Sequence, residues 1–221
     1  MSTNFLLHIM IIVSPTIYLA LTYISKHNGV LDLTDISTNK RTLFFLNVKH
    51  LIGILLFGLI FLVIAPQYLS LIYLNNTLFS IGLIFLTLLM ATISGIVSFY
   101  SSQKESIIPN PLIHKSCYLG YIASRLVFLF AYEFFFRGIL FFTTLNYFSL
   151  AVAVLINLLL YMGIHLFHGK KEVLGAIPFG LVLCAVTYYS QSIWPAFFIH
   201  AALSLSYEGP FLWKYVIKSK L

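Results

Sequence analysis

Charge is what this sequence has least of. Only 9% of its 221 residues are charged, six are acidic, and 60% are hydrophobic, with a mean hydropathy of +0.97. A water-soluble domain of this size could not cover so much apolar surface with so few polar groups, so a soluble globular fold is excluded. Cysteine is rarer still, with two residues. Cys117 and Cys184 both fall in or beside apolar stretches, which leaves no disulfide framework and no Cys-x-x-Cys spacing for a metal or a redox pair. Nucleotide-binding glycine loops, metal fingers and His-Glu-x-x-His are also missing. The net charge of +7 comes from 13 basic residues scattered among apolar segments, without the interleaved aromatics of a nucleic-acid face, so no nucleic-acid partner is expected.

What is present is a series of apolar runs long enough to cross a bilayer. A hydrocarbon core of about 30 Å takes roughly 20 residues at about 1.5 Å each. Seven spans are predicted: Phe5–Ile24, Leu43–Ala65, Leu78–Phe99, Cys117–Tyr147, Leu150–Phe167, Leu174–Tyr189 and Ile193–Tyr207. The fold class is thus an all-α, polytopic transmembrane helix bundle in contact with lipid. The fourth run is too long for one straight crossing and is expected to tilt or to bend near Gly138. The first lacks a basic n-region and a small-residue cleavage site, so it reads as a retained helix. The hydrophilic connections around 25–42 and 100–116 are loop-sized, so any chemistry belongs in the bundle.

Basic residues are one-sided. Lys26, Lys40 and Arg41 follow the first span, Lys104 and Lys115 the third, Lys170 and Lys171 the fifth, and Lys214, Lys218 and Lys220 the seventh. The intervening connections carry none, which predicts an external N-terminus and a cytoplasmic C-terminus. Lys49, Arg125 and Arg137 lie within spans.

An ionisable group at mid-membrane costs about 2.5–3.5 kcal/mol on insertion scales, so one that persists faces a partner or a polar cavity. Four such residues stand out: Glu133, Arg137, His165 and His200. Glu133 and Arg137 are one helical turn apart with the carboxylate first, the favourable order for an ion pair. Alone, that pair reads as a structural salt bridge, and a single intramembrane histidine as a packing residue. Together, a carboxylate and two imidazoles around water form a workable hydrolytic set. Carboxylate and imidazole share the deprotonation of a water, and the other imidazole serves an oxyanion. His168, three residues after His165, is the one further candidate ligand if a metal such as zinc is held, though no metal motif supports a cofactor.

Three motifs occur in order. Tyr132-Glu-Phe-Phe-Phe-Arg-Gly138 resembles the Glu-Glu-x-x-x-Arg motif of the CPBP family of intramembrane proteases, the CAAX-processing and bacteriocin-processing enzymes also called Abi. Tyr161-Met-Gly-Ile-His165 resembles its Phe-x-x-x-His, and His200-Ala-Ala-Leu-Ser204 its His-x-x-x-Asn. The resemblance runs from Lys115 to Tyr207. It implies three N-terminal spans over 1–114, a protease core in the last four spans over 115–207, and a short basic tail over 208–221. It further implies hydrolysis of a peptide bond in a membrane-associated peptide or protein, in a bacterial cytoplasmic membrane. Glu133 and Arg137 would match the second Glu and the Arg of the first motif, His165 the second-motif histidine, and His200 the oxyanion-side histidine.

Tyr132 departs from the pattern, since a phenol with a pKa of about 10 does not replace the water-activating first Glu. Ser204 replaces the usual Asn. Three readings of Tyr132 stay open: Glu133 is the base, Glu172 folds into the site, or the protein is an inactive relative that acts as a bacteriocin-immunity or regulatory partner. Glu172 otherwise reads as a solvated charge beside Lys170 and Lys171.

Overall fold

The computed structural model describes residues 3–30, 40–73, 80–104 and 115–217, with side chains over 5–30, 42–73, 80–104 and 119–210. The connections at 31–39 and 105–114, and the last basic residues of the tail, lie outside the described residues. Every regular element described is helical: α1 (Thr3–His27), α2 (Lys40–Ile54), α3 (Ile60–Ile64), α4 (Ile81–Ser102), α5 (Lys115–Glu133), α6 (Phe141–Leu145), α7 (Leu150–Ile164), α8 (Lys170–Ser190) and α9 (Trp194–Ile217). Two π-helical stretches, Leu55–Leu59 and Phe134–Leu140, join α2 to α3 and α5 to α6 without breaking either rod.

Among the described residues, five helices are long and apolar enough to cross a membrane: Phe5–His27, Thr42–Ile64, Ile81–Ser102, Leu119–Leu145 and Lys170–Ser190. The other two of the seven expected segments are also helical, one shorter and one more polar than these five. The fifth, α7, ends at Ile164 and has 15 residues, so it reaches only about 22 Å at the helical rise. The seventh, α9, contains Glu208, Pro210 and Lys214, which dilute its apolar run. The bend expected near Gly138 is a π-helical widening centred on Arg137, and all seven of its residues are buried.

Packing follows from which faces can approach. Apolar side chains of α4, such as Ile81, Phe85, Leu88 and Val97, stand exposed, as a lipid-facing helix requires. Its opposite face lies on α9, where the Ser98 hydroxyl donates to the Leu203 carbonyl at 2.7 Å. The long α5 rod is the centre of the bundle. Gly53 and Gly58 of the second rod let it approach the Phe128 ring and Ala131. Gly180 does the same for α8: a Cβ there would meet Leu158 Cδ2 at 2.6 Å, Tyr161 Cδ1 at 3.4 Å and an Arg137 amino nitrogen at 3.7 Å.

Gly180→Val should therefore lower stability by about 1–3 kcal/mol through overpacking. Thermal unfolding in detergent would register the loss, and an unchanged midpoint would show that α8 has room to move.

Candidate active site

The first-motif pair sits where α5 passes into the π-helical stretch. Glu133 and Arg137 are wholly buried, and the Arg137 Nε lies 3.4 Å from Glu133 Oε2. The other carboxylate oxygen, Oε1, is 2.5 Å from Nδ1 of His200 on α9. An ionised carboxylate only accepts, so Nδ1 carries the proton and Nε2 is left for another partner. That remaining nitrogen is an acceptor in the neutral ring and a donor in the imidazolium.

The walls are aromatic. The Arg137 guanidinium lies over the Tyr161 ring at 4.4 Å, and Tyr161 is in turn 5.0 Å from His165 and 6.5 Å from His200, ring centre to ring centre. Tyr132 packs against His200, Tyr161 and Phe136 at 5.8, 6.0 and 4.5 Å, and its buried hydroxyl makes no hydrogen bond. Asn157 of α7 donates to the Phe136 carbonyl at 2.6 Å and accepts a weak bond from the Cys184 thiol, tying α7 and α8 to the widened turn. A mid-helix π turn so restrained holds Glu133 and Arg137 at a fixed register.

Glu133, Arg137, His200 and Tyr132 are therefore brought together directly. His165 is reached through Tyr161: it caps α7 and lies beside Tyr161, His168 and Glu172. The helix ends before His165, so His168 joins it through a tight turn in which the His168 amide donates to the His165 carbonyl at 3.0 Å. His168 lies outside the spans, and its pKa is held down to about 3, by burial first and then by the positive charge of Lys49 and Arg125. Glu172, in the first turn of α8, is exposed as expected, yet its carboxylate comes within 4.8 Å of both histidines' ring nitrogens.

Ser204 lies elsewhere. Its hydroxyl accepts from Arg125 at 3.4 Å, and Arg125 pairs with Glu208 at 3.1 Å. The α5–α9 seam thus carries two ionic rungs, Glu133 with His200 and Arg125 with Glu208. The rungs are eight residues apart on each antiparallel helix, or about 12 Å. Sequence reasoning missed the second rung and also His50, which stacks on Phe128 and lies 3.3 Å from the Ser124 hydroxyl. A signal was available for the rung: an arginine inside a span calls for a counter-ion, and only Glu133 and Glu208 among the acidic residues lie on α5 or α9.

With this geometry in place, the comparison with known families is direct. Residues 114–206 match the family model described as type II CAAX prenyl endopeptidase Rce1-like. This region is similar to the CAAX protease family. It is the CPBP family whose motifs the sequence resembles, and the match takes in all three motifs. No curated protein and no solved structure matches the chain. Within the matched region, the first and third motifs meet at the Glu133–His200 contact, and the second stands one aromatic ring away.

Proposed function

We propose that this protein is an intramembrane endopeptidase of the CAAX-processing type, which hydrolyses a peptide bond with a Glu/His-activated water. The Glu133–His200 contact carries the proposal. A structural salt bridge alone would satisfy Glu133 with Arg137, whereas here the second oxygen orients an imidazole on another helix. In this reading Arg137 fixes Glu133, Glu133 fixes His200 through Nδ1–H, and His200, as the imidazolium paired with that carboxylate, donates Nε2–H to the oxyanion of the tetrahedral intermediate. His165, whose two buried ring nitrogens make no hydrogen bond within the protein, takes the proton of the attacking water. That proton then passes to the departing nitrogen as the C–N bond breaks, so the leaving group departs as a neutral amine and the new carboxylic acid afterwards gives up its own proton. Tyr132 shapes the pocket and takes no proton.

The substrate is a membrane-associated peptide or protein, and the family description makes a prenylated C-terminal peptide the first to test. We place the protein in a bacterial cytoplasmic membrane with its C-terminus inside. The clustering of basic residues at one end supports that orientation: Lys26 lies over the Phe167 ring at 6.0 Å, beside the turn that carries His165 and His168.

The test is cleavage of a fluorogenic farnesylated peptide by protein in liposomes. His200→Asn and His165→Ala should each lower turnover by about 10²–10⁴, with thermal unfolding showing that the variants remain folded. Turnover equal to wild type in either would sink that residue's role. Tyr132 favours a second reading, a catalytically inactive relative with an immunity or regulatory role, because it fills the first-Glu place inside an aromatic cluster. Under that reading the wild type cleaves neither prenylated nor leader peptides, yet still binds one of them.

A further inference from the structure

We infer that the turn between α7 and α8 is a binding site for a divalent transition metal, with His165, His168 and Glu172 as its ligands. The inference goes beyond the hydrolase reading and stands independently of it. One donor atom from each residue lies within 4.8 Å of the others. Tetrahedral ligands about 2.1 Å from one zinc stand about 3.4 Å apart, so each side chain need move less than about 1 Å to close on an ion.

A second observation points the same way. Both ring nitrogens of His165 and Nδ1 of His168 are buried and make no hydrogen bond. Buried imidazole nitrogens ordinarily have partners. Here two such rings lie side by side, their centres 5.6 Å apart, with a carboxylate reaching the same point. The local chain explains the convergence. The helix stops at Ile164, the turn brings the residue three positions on back beside His165, and α8 starts at Lys170 so that its first turn presents Glu172.

The donor set selects the ion. Two imidazoles and one carboxylate suit zinc and its neighbours, whereas magnesium and calcium prefer oxygen ligands throughout. Three protein ligands leave one position for water, and exposed Glu172 gives the ion a path from solvent. A ring with one nitrogen on a metal keeps its proton on the other. Metal occupancy and use of His165 as a proton acceptor therefore exclude each other.

The experiment is isothermal titration of the full chain, purified in detergent without a histidine tag and stripped with chelator, against zinc alone. Cobalt titration gives an independent optical readout of tetrahedral coordination. The expected result is one zinc per chain in the wild type, with affinity at least tenfold weaker in both His168→Ala and Glu172→Gln at unchanged thermal stability of the metal-free proteins. Absence of saturable binding overturns the site. Binding that either variant leaves intact overturns it equally, since three ligands are claimed.

Discussion

Glu133→Ala is expected to destabilise the protein by about 3–5 kcal/mol, the loss that follows when one partner of a buried ion pair is removed. The pair is fully enclosed. Arg137 is wholly buried and sits over the Tyr161 ring, and none of its guanidinium nitrogens makes a geometrically good hydrogen bond. Without Glu133 its charge has no counter-ion at contact distance, and His200 loses the acceptor of its Nδ1–H. The double variant Glu133→Ala/Arg137→Met should recover most of the loss, because an apolar side chain of similar length suits the aromatic surroundings. Thermal or steric-trap unfolding of the two variants measures the coupling. A single-variant loss below about 1 kcal/mol would mean that water reaches the guanidinium. It also follows that loss of cleavage in Glu133→Ala does not by itself report on catalysis, which is why the histidine variants are the sharper test of function.

Tyr132→Glu, which writes the family's first motif back in full, should destabilise rather than activate. Phe57, Phe128, Phe136, Tyr161 and His200 all lie 4.5–6.0 Å from the Tyr132 ring, centre to centre. A carboxylate there replaces that packing with a second negative charge next to Glu133, which already takes Arg137 as its ion-pair partner. The penalty is on the order of 3–5 kcal/mol, that of an uncompensated buried charge. Tyr132→Phe should fall within about 1 kcal/mol of wild type or above it, because the hydroxyl it removes is buried and unpaired. Unfolding midpoints decide the matter. A Glu variant as stable as wild type, with faster cleavage, would show that the pocket still accepts the family's carboxylate and that Tyr132 is a replaceable plug.

The helical fold was legible because apolar length is a local property, and so was the Glu133–Arg137 pair, one turn apart on a single helix. The meeting of Glu133 with His200 was not, since it depends on how α5 and α9 cross. Helix ends misled the reading twice. The fifth span was drawn through Phe167, whereas α7 stops at Ile164 and converts His165 and His168 from positions on a rod into a turn. The same turn brings Glu172, read from sequence as a solvated loop charge, up to both rings while leaving it exposed. The widening at Phe134–Leu140 had no sequence cue beyond Gly138, because a π turn is stabilised by partners such as Asn157 from another helix.

At the end of the bundle away from His165, three bonds among the described residues tie the exit of the second rod to the connection between α8 and α9. The Leu71 carbonyl accepts from the Ile193 amide at 3.1 Å and the Ser192 hydroxyl at 3.2 Å, and the Ile72 carbonyl accepts from the Trp194 indole at 2.7 Å. The donors are made more than a hundred residues after their acceptors. During synthesis, the carbonyls of the second rod's exit must therefore be served by water at the membrane surface until the α8–α9 hairpin arrives. Biogenesis of this protein has a late closing step, in which the last hairpin fastens a segment inserted long before it.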